Sequence, residues 1–480
     1  MVQLAVSVLR LTRAGVTLVV MLIIATAGGC ALKAPPTHDA VVDQALPTST
    51  TIPATWQAAA VDAPVANDWL KSLNDPALDA LVAEALANNR ELLQASQNVT
   101  IAQQAVIVVG SKLVPHVGAS VGGRSTKDET HDGTFNSASA FAVVGWEIDV
   151  WGKLRAQRAA AEAGYQATAL EYSFARQSLA ATVAKAWYLT IETRQLVLVS
   201  EQSVLVYSAL LDLVVIRRNA GKDSDLDVFD VRASLDSARS DLEQARQSHD
   251  EARRALEQLL GRYPAAQIEA AAIYPPLPPA PGSGVPATLL ERRPDIVAAE
   301  REVLAAFREE EAARLALLPT FSLSLIGGWL GEPLLSVLKL NPWLVSAAVG
   351  VGVPIYEGGA LRAQVRIATA RQAQAVANYG DHVLTAFREV ENALGNDRIL
   401  ARRLPYAESA VRDRNQAVRV ATEQYTAGAR DLLWVSNLQA HALATEADFV
   451  RLRALQRVNR IRLHLALGGS FDATPAKTIR

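Results

Sequence analysis

The strongest constraint on this chain is internal repetition at a fixed distance. Leu154-Arg155-Ala156-Gln157 returns as Leu361-Arg362-Ala363-Gln364, and at the same offset Ala220-Gly221 returns as Ala427-Gly428 and Leu260-Gly261 as Leu467-Gly468. Upstream, at a slightly shorter offset, Leu113-Val114-Pro115 matches Leu317-Leu318-Pro319. A single recurring tetrapeptide arises by chance, whereas unlike motifs held at one spacing require one structural unit used twice.

Within each half the pattern changes period. From Asp68 it is helical through Trp69, Leu73, Leu78, Leu81, Ala85, Leu86 and Leu92 to about Ser111, and Pro115 breaks it. Strand-like alternation follows at Phe141 and Val143, then Trp146, Ile148 and Val150. The second half repeats it more cleanly, with Phe321, Leu323 and Leu325, then Val345 to Ile355 at every second position. One apolar face and one small or polar face suit a strand between lipid and water, and equally a soluble sheet with one buried face. The connections Arg124 to Ala138 and Gly331 to Pro342 give one hairpin per half.

Long helical segments come next. No proline interrupts Leu154 to Asn219, and a helix of that length extends ~100 Å. Its counterpart, Leu361 to Thr426, is interrupted only by Pro405, and the Ala-Gly pairs that follow mark turns. The returning segment of the first half repeats Val228, Val231, Leu235, Ala238, Leu242, Ala245, Ala252, Leu256 and Leu259 at steps of three and four, broken at His249. This 3.5-residue period defines a coiled-coil seam, and the outgoing segment of the second half keeps it from Val376 to Leu394. Tyr263 to Pro286, with Pro275-Pro276 and Pro278-Pro279, is an extended connector.

At the N-terminus Arg10 and Arg13 precede an apolar run from Ala14 to Ala27, and Gly28-Gly29-Cys30 follows. The run of roughly 14 residues is a secretory signal, short of the ~20 needed to span a bilayer. Small residues before the only cysteine of the chain resemble a bacterial lipobox, which implies cleavage before Cys30 and its acylation; a plain signal with an incidental cysteine is the alternative. A single cysteine excludes any internal disulfide. Residues 31–66, rich in Ala, Pro, Thr and Val, read as an extended tether, and after residue 30 no apolar run reaches the length of a spanning helix.

Lysine and arginine nearly cancel aspartate and glutamate, at a formal net charge of −2, which argues against nucleic-acid binding. Histidines are scattered without metal-ligand spacing, and no Ser, His and acid fall together, so neither an enzyme nor a cofactor is expected. Gly350-Val351-Gly352 lies in a strand and opens no phosphate-binding helix. Arg292, Arg293 and Asp295 read as helix-capping charges around Pro294.

Helix, hairpin, long helix, tight turn and returning helix, taken twice behind a lipobox, resemble the outer membrane factor family of TolC-like, NodT-type efflux channels. The motifs that carry this are Leu289-Leu290-Glu291-Arg292-Arg293-Pro294-Asp295-Ile296, Trp146-Glu147-Ile148-Asp149-Val150-Trp151-Gly152, and Trp69 with Asp75-Pro76. The resemblance implies an α+β fold: an elongated homotrimer in which four strands per protomer close a twelve-stranded transmembrane β-barrel, joined to an α-helical coiled-coil barrel. Its implied domains are a signal at 1–29, a lipid-anchored tether at 30–66, repeats at 67–262 and 287–470, the connector at 263–286 and a tail at 471–480.

It further implies an exit channel in the cell outer membrane that extends into the periplasm and passively conducts small toxic solutes from an inner membrane pump. Type I protein secretion, or a lipid-anchored coiled-coil scaffold without a pore, are the other readings. The tips, at Ala220, Gly221 and Lys222 and at Ala427, Gly428 and Arg430, would meet a periplasmic adaptor. Leu226 and Asp230, with Leu433 and Asn437, are the pore-constriction candidates, or alternatively ordinary seam and surface. Asn437 departs from the acidic residue common there.

Overall fold

We describe a computed structural model in which residues 32–58, 63–128, 133–331 and 343–470 are defined. The signal, Cys30 and the tail at 471–480 lie outside the described residues. The helices are α1 His38–Ala45, α2 Trp69–Ser72, α3 Pro76–Asn88, α4 Arg90–Gly110, α5 Lys153–Asn219, α6 Asp225–Leu259, α7 Pro286–Arg292, α8 Pro294–Leu315, α9 Ala360–Thr426 and α10 Leu432–Ala466. The strands are β1 His116–Asp128, β2 Gly133–Ile148, β3 Thr320–Gly331 and β4 Trp343–Gly352. Helices α5 and α9 each contain 67 residues, and α6 and α10 each contain 35. Pro405 sits inside α9 without ending it.

The chain divides into two compact units, whose described residues fall within 32–49, 98–169 and 298–381 and within 50–97, 170–297 and 382–470. The first holds an antiparallel sheet in the order β1-β2-β3-β4. Its register builds one continuous apolar face from rows Val117–Val144–Leu325–Ala347, Trp146–Leu323–Val349 and Ile148–Phe321–Val351. Val117, Val121, Val345, Val349 and Val351 are all exposed on it. The opposite face is mostly serine and glycine, in rows such as His116–Gly145–Ser324–Ala348. Much of Arg124 to Ala138, read from sequence as a connection, is paired strand, because its short polar residues satisfy the ladder as well as apolar ones do. Conversely Val150, Val353 and Ile355 lie beyond the strand ends.

Asp149 makes the change from strand to helix. Its carboxylate accepts from Leu154 N and Arg155 N, both at 3.0 Å, satisfying donors at the open start of α5. Trp151 Nε1 donates to Pro319 O at 2.7 Å, and Trp146 Nε1 to Leu113 O at 3.0 Å.

The segment expected to be an extended tether is docked and partly helical. The Thr37 hydroxyl caps α1 by accepting from Ala40 N, and Val41 is buried. His38 Nδ1 lies 2.8 Å from Glu300 Oε2, Lys33 N donates to Glu311 Oε1 at 2.6 Å, and Arg308 donates to Lys33 O at 2.8 Å. Leu32 packs against Gly152, where an added Cβ would fall 3.4 Å from its side chain.

In the second unit Trp69, Leu78, Val82, Trp187, Tyr188, Leu256, Leu260 and Ile461 form one core. The helix read continuously from Asp68 is broken, because Asn74 has positive φ and Asp75 caps α3 while accepting from Trp187 Nε1 at 2.8 Å. His249 stays in the seam, buried and 3.0 Å from Thr193 Oγ1. Arg293 is more than a capping charge: it is buried and pairs with Asp295 and Glu389, both at 2.7 Å. The connector is pinned by Arg457 to Pro275 O at 3.0 Å and Arg460 to Pro278 O at 2.6 Å.

No apolar run after residue 30 is expected from the sequence to reach the length of a spanning helix, and α5 departs from that. Helix α5 contains an 18-residue window of mean hydropathy 1.6 and, by length and composition, is apolar enough to cross a membrane. The leucines and valines between Leu196 and Ile216 account for it. Tyr207, Leu210 and Val214 from this stretch enter a second core with Val228, Val231, Leu235, Tyr425, Leu432 and Val435.

Candidate functional site: the two helical turns

Both predicted tips are built alike. Gly221 and Gly428 have φ of 72° and 79°, the left-handed conformation that a Cβ would strain. At the first turn Gly221 N donates to Arg218 O at 2.9 Å and Lys222 N to Arg217 O at 3.0 Å. The second matches it, with Gly428 N to Tyr425 O at 2.9 Å and Ala429 N to Gln424 O at 2.8 Å. These paired bonds satisfy the last carbonyls of α5 and α9 and stop both helices. Each returning helix starts at a side-chain cap: Ser224, in a reciprocal pair with Asp227, opens α6, and Asp431 opens α10.

The constriction candidates fall one helical turn apart on exposed faces. Leu226, 76% exposed, precedes Asp230 on α6, and Leu433, 61% exposed, precedes Asn437 on α10. Phe229 and Trp434 beside them are exposed too, and the Arg430 guanidinium lies 4.7 Å over the Trp434 ring. Each turn thus leaves two large apolar side chains exposed, Leu226 with Phe229 and Leu433 with Trp434. Lys222 and Arg430 are both exposed.

A polar lock joining the two turns was not read from the sequence. Arg217 donates to Asp223 through Nε at 3.0 Å and Nη2 at 3.2 Å, while its Nη1 donates to Tyr425 O at 2.9 Å and Thr426 O at 3.3 Å. The Tyr425 hydroxyl donates to Asp223, and the guanidinium stacks 4.2 Å above the Tyr425 ring. Hydrogen bonding to Asp223 holds the Arg217 pKa above its usual value; burial, then Asp223, raises that of Tyr425. One arginine thereby satisfies both an acid on its own turn and the open carbonyls ending α9. The sequence did carry a signal: Asp223 and Arg430 occupy matching positions with opposite charge.

Among the described residues no cluster of His, Cys, Asp and Glu is arranged to hold a metal ion. A family model described as outer membrane efflux protein matches residues 81–262 and 285–469. The toluene efflux pump outer membrane protein TtgF of Pseudomonas putida is 30% identical over 413 residues, spanning 84% of this chain and 86% of that protein. The pyoverdine export outer membrane protein OpmQ of Pseudomonas putida is 28% identical over 437 residues, spanning 88% and 92% respectively. Among solved structures, a membrane protein from Pseudomonas aeruginosa superposes with a TM-score of 0.80 at 27% identity, over 90% of this chain and 99% of that one.

Proposed function

The chain belongs to the outer membrane efflux protein family, and from that premise we propose that it is the outer membrane exit channel of a tripartite efflux system. It passively conducts small toxic solutes delivered by an inner membrane pump. The observation that carries this reading is the sheet, which exposes Val117, Val121, Val345, Val349 and Val351 on its largely apolar face and whose edge strands β1 and β4 have no further strand partner among the described residues. Unpaired backbone groups are not tolerated in lipid, so the edges must meet further copies. Three copies close a twelve-stranded barrel, with the apolar rows toward lipid and the serine and glycine rows toward water.

The 67-residue helices, each ~100 Å long, continue the passage into the periplasm as two tandem repeats, at 67–262 and 287–470. The turns at Gly221 and Gly428 form its periplasmic end and dock an adaptor through Lys222, Arg430 and their neighbours. Leu226 and Leu433 narrow the passage there, Asp230 supplies the charged ring, and Asn437 leaves the second position neutral. Acylation of Cys30 would anchor the chain, and the seat of Leu32 on Gly152, at the strand-to-helix junction, suits an anchor at the barrel base.

Heat-resistant trimers on gels and discrete conductance in planar bilayers are the expected results for the purified protein. A monomer without conductance would overturn the reading. Photo-crosslinking in cells from Lys222 and Arg430 should capture a periplasmic adaptor.

A further inference from the structure

The barrel reading, on which this inference rests, turns one face of the sheet toward water, and the middle of that face is not built for water. The row His116–Gly145–Ser324–Ala348 carries polar or small residues, and further along the Gly122–Ser139 pair is small and hydroxyl-bearing before Leu330 ends its row, as a largely water-filled passage requires. Between them lie Gly118–Val143–Ile326–Ser346 and Ser120–Phe141–Gly328–Leu344. Phe141, Val143, Ile326 and Leu344 thus form one apolar island across β2, β3 and β4. These side chains are not core, since Ile326 and Leu344 are 38% and 48% exposed. Gly328 makes room for the island: a Cβ there would fall 2.5 Å from Phe141 Cδ1, so the ring lies across the neighbouring strand. Between Arg124 at one end and Glu147 at the other, no described residue on this face is an acid, lysine or arginine.

We propose that this island is a contact site for cargo inside the membrane passage, taking the uncharged aromatic or aliphatic part of amphiphilic solutes. The electrostatic match favours that occupant, because between Arg124 and Glu147 an ion finds no counter-charge on the described residues of this face and loses hydration over the island. An apolar group finds Phe141 and Leu344, while Ser120 and Ser346, in the same two rows, accept its hydroxyl or amide. Repeated in each protomer, the islands form a broken girdle, absent only at β1. Contact on an open surface is weak, as a conduit needs if cargo is also to leave.

The test uses purified full-length protein in lipid bilayers and a water-soluble aryl-diazirine benzyl alcohol as photoprobe, with adducts mapped by mass spectrometry. Adducts at Phe141, Val143, Ile326 and Leu344 should exceed those at Ser139 and Ser324 by ~4-fold or more, the ratio that one buried methylene gives. They should vanish in the triple variant Phe141→Ser, Ile326→Ser, Leu344→Ser, whose trimer yield checks folding. Equal labelling of all water-side rows would overturn the proposal.

A separate arm tests the barrel reading itself. Ser324→Cys should react with a charged, membrane-impermeant thiol reagent and Val349→Cys should not. The reverse pattern sinks the barrel assignment, whereas reactive Ser324→Cys without preferential photolabelling sinks only the island.

Discussion

Arg217 and Asp223 face each other across the first turn, joined by two hydrogen bonds of 3.0 and 3.2 Å, with side chains only 12% and 8% exposed. Because the same guanidinium holds the carbonyl end of α9, this pair fastens the second turn to the first.

Removing Asp223 takes two charge-assisted hydrogen bonds from a half-buried Arg217 that still holds the Tyr425 and Thr426 carbonyls, which costs about 1–3 kcal/mol locally. Asp223→Ala should therefore loosen the tips and raise single-channel conductance, while the barrel still resists heat. Tyr425→Phe removes one hydrogen bond and should give the same change at smaller amplitude. Unchanged conductance in both would remove the lock from any gating role.

Asp230 and Asn437 sit at matching positions but differ in charge. Asn437→Asp should shift the reversal potential in asymmetric salt toward cation selectivity, and Asp230→Asn should shift it away. The shifts should shrink at high ionic strength, because exposed charges are screened.

Burial, then nearby Arg460, pulls the His464 pKa from 6.5 down to about 4. As pH falls through that interval the unfolded chain takes up a proton that the folded chain refuses. Stability is therefore lost as pH drops from about 6.5 towards 4, by up to about 3 kcal/mol. The imidazole stacks on Trp69 at 5.7 Å, so His464→Phe keeps the stack. Thermal melts from pH 7.5 to 4.5 should be flatter in the variant.

Leu325 and Ser324 are neighbours on opposite faces of β3. Leu325→Arg should cost about 2–4 kcal/mol in the bilayer and deplete heat-resistant trimers, while Ser324→Arg should assemble normally. Equal loss in both would contradict the assignment of faces.

The long helices were legible because their evidence is local: a sustained 3.5-residue period, no break, and a glycine where the chain reverses. The strands were legible where Leu323 and Leu325 alternate with serine, and illegible along Arg124 to Ala138, whose short polar residues carry no face. The docked N-terminal segment escaped for another reason. Its partners Glu300, Glu311 and Arg308 lie far along the chain, and single polar pairs leave no periodic trace. The turns at Gly221 and Gly428 were placed from sequence; the lock between them was not, since only the fold brings Tyr425 to Asp223.

The equal lengths of α5 and α9 limit how such a gene is free to change. Deleting one residue from α5 upstream of Arg217 shifts everything after it by about 1.5 Å and turns it by about 100°, withdrawing Arg217 from the end of α9. Extending one helix alone would likewise leave the turns at unequal heights. Length in this chain is therefore inherited as a matched pair: whole heptads enter or leave both halves together, or neither changes.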